Sequence, residues 1–339
     1  MIRFSVIGIT HAHIYGQVKS LLEAGGTFHA WYAYDHEAVL TRAFAEAFPH
    51  AQRVSDEARI LEDPNIQLIV TSTIPANRAP LGVRVMQHGK DFMTDKPGFT
   101  TLEQLAEVRR VQAATGRIYS VCYSERLENR ATVHAGELVQ AGAIGKVVQT
   151  IGLGPHRLSL PTRLPYFFDR QSYGGILCDI GSHQFDQFLF FTGSTQAEVV
   201  ASQVGNLYHP QLPGLEDFGD VLLRGNNGTG YIRVDWFTPD GLPTWGDGRL
   251  TILGTEGYIE LRKYIDIAGR DGGNHLFIAD QKGVRYIDCA HVALPYSRQL
   301  INDIVHRTET AMSQAHCFMA SELALQAEAG AAVLTRTQS

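Results

Sequence analysis

Apolar and polar positions in the first third of the chain follow two alternating rhythms. Residues 2–9 (IRFSVIGI), 28–35 (FHAWYAYD), 68–73 (LIVTST), 90–97 (KDFMTDKP) and 117–123 (RIYSVCY) are short runs rich in β-branched and aromatic residues, with a shorter one near 52–54. Between them, at 11–26, 36–48, 56–62, 78–89 and 101–116, apolar residues recur at helical spacing. The runs predict strands and the intervening stretches predict helices. The Leu68-Ile69-Val70 step offers no polar face, as expected of a strand covered on both sides. Strands alternating with helices of this length predict an α/β domain over 1–122, a doubly wound parallel sheet of Rossmann type with crossover helices.

After residue 122 the rhythm changes. A helix is expected over 131–145 and a strand from 146, and one helix over 174–193, in which Gly174 and Gly175 lead into Ile176, Leu177, Ile180, Phe188 and Leu189. From about 196 the period-2 runs crowd together: 197–208, 216–225, 228–237, 248–255, 257–264 and 275–288. Asn226-Asn227-Gly228 and Gln281-Lys282-Gly283 are hairpin signals between such runs. Residues 123–339 therefore predict a C-terminal α+β domain with a large, mostly antiparallel open sheet, helices on one face, and closing helices at 297–311 and 319–334. The runs 155–173 and 239–248 are expected to be long loops, of the kind that often carries function.

Composition narrows the classes. The chain has 339 residues, enough for two domains, with 44% apolar and 19% charged residues. Net charge is −6, and Lys and Arg form no stripe that would track a phosphate backbone, which argues against nucleic acid as partner. No apolar run approaches the ~20 residues of a membrane span. The chain enters its first strand without a charged leader, and Cys122, Cys178, Cys289 and Cys317 form no paired motif, so a reducing cytoplasm is expected. Cys178, beside Asp179, reads as core.

Three stretches carry candidate chemistry. The turn after the first strand, Gly8 to Gly16, keeps only the first glycine of a G-x-G-x-x-G fingerprint, with Thr10 and His13 at the other two positions. Its place between a buried strand and a helix suits a dinucleotide pyrophosphate. Asp35 ends the second strand where a ribose-binding acid belongs, favouring NAD over NADP; the alternative is that Asp35 caps the next helix. Lys96, followed by Pro97, stands at the carboxyl end of a sheet strand, where it either points into a ligand crevice or lies at the surface. Asp179 and His183 are four residues apart, on one face if their helix is continuous, and could be either an acid–base pair or ordinary buried polar groups. Gly181 lies between them, and a glycine at that position suggests that something comes close to the helix backbone.

Together these stretches resemble the Gfo/Idh/MocA oxidoreductase family over nearly the whole chain. The resemblance rests on Asp95-Lys96-Pro97 for the family's E-K-P, and on Gly174, Gly175, Asp179, Gly181 and His183 for G-G-x-x-x-D-x-G-x-H. It is supported by the hinge at Ser124-Glu125-Arg126, the A-G-A-I-G-K step at 141–146 and the strand pair near Gly254-Thr255-Glu256-Gly257. Arg78 replaces the histidine of the family's P-x-x-x-H, here Pro75-Ala76-Asn77-Arg78. The resemblance implies NAD bound by Gly8, Ile9, Thr10, His11, His13, Asp35, Thr73, Pro75, Asn77 and Lys96. It further implies hydride transfer with a CH–OH carbon of a sugar, cyclitol or sugar-derived substrate. His183 is then the expected base, Lys96 the cation at the same oxygen, and Asp179 the orienting carboxylate. Tyr123, His156, Arg157 and Tyr166 are further substrate candidates, with Arg126 and Asp186 as weaker ones.

His11 and His13 are read as phosphate-proximal rather than metal-binding, and no metal is expected. A homodimer or homotetramer through the C-terminal sheet follows from the resemblance. Two other classes compete: a non-catalytic cofactor or ligand sensor on the same fold, and a metal-dependent lyase or isomerase using His156, Asp179 and His183. The joint presence of Lys96, Asp179 and His183 speaks against the first, and the lack of tight ligand spacing against the second.

Overall fold

In a computed structural model, which describes residues 2–335, the chain forms two compact units. The first comprises residues 1–122 and 295–318, and the second 123–294 and 319–339. The segment 295–318, grouped with the second domain by its position in sequence, thus packs with the first.

The first unit is built on β1 (Arg3–Ile7), β2 (Thr27–Tyr32), β3 (Gln52–Arg53), β4 (Leu68–Thr71), β5 (Asp91–Asp95) and β6 (Tyr119–Cys122), in the spatial order β3-β2-β1-β4-β5-β6. Every pairing is parallel. β4, β5 and β6 are buried along their whole length, consistent with helices on both faces. Strand order reverses between β1 and β4, the position at which sheets of this type bind ligands. The helix His13–Glu23 follows β1, Pro75–Gln87 follows β4 with Pro75 in its first turn, and Leu102–Thr115 follows β5. The last of these is capped by Thr101, whose side chain accepts from Gln104 N, and ends on Gly116. The predicted helix at 36–48 is instead a 3-10 turn, Asp35–Leu40, followed by the helix Thr41–Ala47. Helix Tyr296–His306 is held to this unit by specific bonds: Tyr296 to Ser120 at 2.8 Å, Ser297 to Ser20 at 2.9 Å, and the Arg307 guanidinium on both oxygens of Asp91.

The second unit carries β7 (Val147–Pro155), β8 (Ala197–Gly205), β9 (Phe218–Gly225), β10 (Thr229–Asp235), β11 (Arg249–Gly254), β12 (Tyr258–Arg262), β13 (His275–Asp280), β14 (Gly283–Asp288) and β15 (Ala332–Leu334). They form one sheet in the order β14-β13-β12-β11-β7-β10-β9-β8-β15. β10 with β7 and β15 with β8 are parallel; the remaining pairs are antiparallel. Both predicted hairpins form. β15 corrects the expectation of helix to 334, since the helix Gln314–Ala329 ends before it.

Helices Arg130–Gln140 and Ser182–Thr192 cover one face of this sheet. There Ala131, Ala135 and Phe191 meet Leu250, Ile252, Ile259, Leu261 and Ile278. On the other face the cross-strand pairs Leu222–Tyr231 and Leu253–Tyr258 look outward, with Leu253 42% and Tyr258 48% exposed. Among the described residues no helix is long and apolar enough to cross a membrane, and all four cysteines are buried thiols, Cys178 among the core as expected.

The helix predicted over 174–193 is in fact two, Ile176–Asp179 and Ser182–Thr192, broken at Ile180 and Gly181. Asp179 ends the first and His183 lies in the first turn of the second. A Cβ at Gly181 would fall 2.4 Å from Leu177 O. The chain's own backbone at the bend therefore already calls for a glycine here.

Candidate active-site residues of the two units

In the first unit, the turn after β1 is zipped to the end of β4. His11 N donates to Ser72 O, Ser72 N to Gly8 O, and Ser72 Oγ to His11 O. Gly8 has φ +85°, and a Cβ there would lie 2.6 Å from that of Thr73, so the glycine and the buried threonine fix each other. The acid that closes this turn is Glu37, which sequence reasoning missed. Its fully buried carboxylate accepts from Ile9 N at 2.7 Å, Thr10 Oγ1 at 2.5 Å and Tyr34 N at 2.8 Å. The three-residue spacing from Tyr34 is the reach-back of a capping box, the one signal that could have found it. Asp35 is exposed, in the first turn of the 3-10 segment.

Lys96 directly follows β5, is joined to Pro97 by a cis bond and is 6% exposed. The loop it sits on is held by Arg78, the residue that replaces the family's histidine. Arg78 is buried, and its guanidinium donates to Thr73 O (2.8 Å), Lys96 O (2.5 Å) and Pro97 O (3.0 Å) and lies 3.5 Å from Asp95 Oδ2. Asp95 is the hub. It accepts from Lys96 N at 2.8 Å, bonds His13 Nδ1 at 2.9 Å, and lies 3.4 Å from His11 Nδ1. Burial works against its charge, but His13, Arg78 and His11 outweigh burial and hold the carboxyl well below its usual range. Burial and the neighbouring His13 push the His11 imidazole well below its ordinary value, with Asp95 opposing.

His11, His13 and Asp95 place nitrogen and oxygen atoms within 4.8 Å of one another, a spacing a metal could use. Arg78 already sits against Asp95, and Lys96 adds a second neighbouring cation, so the local charge opposes a divalent ion. The donor set fits a dinucleotide phosphate better: helix His13–Glu23 begins at the turn with no acid in its first turn, at the switch point of the sheet.

In the second unit, Gly174 and Gly175 both have positive φ, +91° and +95°. Their surroundings explain why. A Cβ at Gly175 would lie 2.1 Å from the carboxyl carbon of Glu328, which reaches in from the C-terminal helix. Glu328 Oε2 accepts from Leu177 N at 2.9 Å and Glu216 Oε2 from Ile176 N at 2.8 Å, so two carboxylates cap the short helix that ends at Asp179. Arg170 bonds both of them. Burial and the adjacent Glu216 push Glu328 up to about 8.

Asp179 and His183 are 5% and 2% exposed. A cation on which the Asp179 charge acts is Arg163, also missed from sequence: its guanidinium lies 4.5 Å from the ring centres of both Phe167 and Trp236 and donates to Leu158 O and Arg157 O. Burial lowers the pKa of Arg163, with Asp179 opposing. His156 packs against Trp245 at 4.4 Å and bonds Gly154 O at 3.1 Å. Arg157 donates to Pro239 O and Leu242 O, tying down the loop that follows β10. Tyr123 is fully buried with its hydroxyl 2.9 Å from Ser321 Oγ, and Tyr166 stacks on Phe167. Arg126 and Asp186 form a two-bond ion pair with each other, at 2.6 and 2.7 Å. These bonds give Arg126, Asp186 and Arg157 structural work in the unit. Glu125, next to the hinge arginine, pairs with Lys263 from just after β12 at 2.6 Å.

A six-strand parallel sheet in this order with a phosphate-suited turn at its switch point, joined in one chain to a nine-strand open sheet, defines a two-domain protein of the dinucleotide-binding class. The chain belongs to the Gfo/Idh/MocA oxidoreductase family. Residues 2–123 match its oxidoreductase, NAD-binding Rossmann-fold domain, and residues 132–260 match the GFO/IDH/MocA C-terminal domain. A scyllo-inositol 2-dehydrogenase (NAD(+)) of Bacillus subtilis is 25% identical over 235 residues, 66% of this chain and 65% of that protein, so the matched part is slightly under two thirds of the relative. The crystal structure of a putative oxidoreductase from Erwinia carotovora atroseptica superposes with a TM-score of 0.96 at 45% identity, covering 99% of this chain and 100% of that one. A levoglucosan dehydrogenase in complex with NADH shares the fold, with a TM-score of 0.76 at 18% identity over 97% and 95% of the two chains.

Proposed function

We propose that this protein is an NAD-dependent dehydrogenase that oxidises or forms a CH–OH group on a sugar, cyclitol or sugar-derived substrate. The observation that carries the reading is the joint presence, in a chain of this family, of Lys96 on a loop clamped by Arg78 and Asp95, and of Asp179 and His183 at the bend between two buried helices. The relatives named for scyllo-inositol and levoglucosan support the substrate class.

Gly8, Ile9, Thr10, His11 and His13 would take the cofactor's phosphates at the start of the first helix, with Thr73, Pro75, Asn77 and Lys96 toward the nicotinamide. Asp35 would accept the ribose hydroxyls and reject a 2′-phosphate, which favours NAD over NADP. The bound nicotinamide supplies the hydride acceptor. His183 takes the hydroxyl proton. The Lys96 ammonium stabilises the negative charge that develops on that oxygen, and Asp179 orients the imidazole or a substrate hydroxyl. His156 and Tyr166 remain substrate candidates; Tyr123 and Arg157 would act from positions already bonded elsewhere. The outward face of the second sheet would serve a homodimer or homotetramer, to be checked by analytical ultracentrifugation.

The test is absorbance at 340 nm with purified protein, NAD and a panel of inositols, levoglucosan, aldoses and sugar acids. Turnover of at least one, abolished by Lys96→Ala and by His183→Ala while NAD still binds, is expected. NAD binding with no turnover across the panel would favour a sensor, and near wild-type turnover in either variant would remove the role assigned to that residue.

A further inference from the structure

Two residues of the His183 helix, Gln184 and Gln187, hydrogen-bond a fully buried ion pair. Lys263 Nζ donates to Glu125 Oε2 and to Gln187 Oε1, each at 2.6 Å, and Gln184 Nε2 donates to the same Glu125 oxygen at 2.9 Å. Gln187 Nε2 returns to the backbone oxygen of His183 at 2.8 Å, so the amide row connects the pair to the turn that carries the imidazole. The side chains of Lys263 and Glu125 are 0% and 1% exposed. Glu125 Oε2 is thus saturated, whereas Oε1 is buried and accepts no hydrogen bond among the described residues.

Taking two charges out of water costs several kcal/mol per ion before their attraction is counted, and an apolar pair of similar volume is often as stable. An ion pair retained here, with one carboxylate oxygen left open, calls for a further task. The charged groups that act on Glu125 are Lys263, His183 and His156. Asp186, already bonded to Arg126, acts on Lys263, and Glu125 and Glu128 both act on the buried Tyr264. Of the two histidines, His156 is engaged with Gly154 O, and His183 is the one whose helix the pair is bonded to.

We propose that Glu125 is a positioning residue for His183: its buried carboxylate, held ionised by Lys263, stabilises the imidazolium that His183 becomes when it takes up a proton. The proposal rests on His183 as the base only for its catalytic meaning; the coupling of the two side chains stands apart from it. Burial alone would raise the Glu125 carboxyl, but the Lys263 ammonium, with His183 and His156 behind it, keeps it down at about 2, so the charge is present throughout the neutral range.

The experiment is a histidine-labelled NMR titration of the full chain, with His183 assigned by its absence in His183→Asn. In Glu125→Gln the imidazole should lose roughly tenfold in proton affinity, a fall of about one pH unit in its titration midpoint. Because Glu125→Gln leaves Lys263 buried without its partner, Glu125→Gln/Lys263→Met is titrated beside it; removing both charges avoids an unpaired buried ion, and since the ammonium that opposes the imidazolium goes too, the fall should be smaller but in the same direction. A His183 midpoint that stays within about 0.2 units of wild type in both variants would overturn the proposal. Full turnover in His183→Asn would instead refute the base reading and leave the measured coupling in place.

Discussion

Glu328 reaches back across the second unit to cap the helix that ends at Asp179, and it does so beside a second carboxylate, Glu216, with Arg170 bridging the two. In the folded chain its pKa is raised from 4.5 to about 8 by burial and by Glu216. Below about pH 4.5 the group is protonated in both folded and unfolded chains and contributes no pH dependence. Between there and about pH 8 the unfolded chain releases a proton that the folded chain retains, so stability falls as pH rises, and the loss is complete above pH 8.

At about 1.4 kcal/mol per pH unit, a span of roughly 3.5 units sets a ceiling of about 5 kcal/mol. Sharing one proton between two carboxyls beside a guanidinium lowers this, and about 2 kcal/mol is the expected size. Glu328→Gln mimics the uncharged form of the side chain. Urea unfolding of wild type and variant at intervals from pH 5 to 9 should give near-equal stabilities at the acid end and a growing advantage for the variant toward pH 9. A difference that stays constant over the whole range would show that Glu328 ionises like an ordinary carboxyl, and the argument would fail.

Three further outcomes follow from the geometry. Arg78→Met removes the donors to Thr73, Lys96 and Pro97 and leaves buried Asp95 without its guanidinium, so it should destabilise the first unit by about 3–5 kcal/mol, read as a lower urea midpoint. Gly181→Ala places a methyl 2.4 Å from Leu177 O and should cost about 1–3 kcal/mol by forcing the bend open; a neutral result in the same assay would mean the two helices can slide apart freely. Asp35→Ser should raise NADP affinity relative to NAD by at least about tenfold in fluorescence titrations, and an unchanged ratio would move the ribose contact to another residue.

The period-2 and helical rhythms made both sheets legible, because each strand's burial pattern is local to that strand. The buried run in β4 and the two hairpin signals are examples. What the sequence hid was long-range. Nothing in residues 295–318 reveals that Tyr296 bonds Ser120 and that Arg307 bonds Asp91. The pair Gly174-Gly175 was visible as a motif, but its reason lay in Glu328, about 150 residues away. The bend at Gly181 escaped because its apolar spacing suits one continuous helix as well as two. In sequence Arg78 is only a departure from a family pattern; in the fold its guanidinium bonds three backbone oxygens. Asp35 reads as a strand-end acid, yet β2 stops at Tyr32 and Asp35 lies in the first turn of the 3-10 segment, while Glu37, two residues on and buried, carries only a capping spacing.

Asp95 also constrains how this chain can change. One short carboxylate serves the turn residue His13, the loop amide of Lys96 and the guanidinium of Arg78. Restoring glycine at position 13 would strip a partner from a buried anion, and restoring histidine at 78 would strip another, so neither reversion toward the family pattern is neutral when made alone. The three positions form a single epistatic block. A dehydrogenase engineered from this scaffold would have to exchange them together, or leave all three as they are.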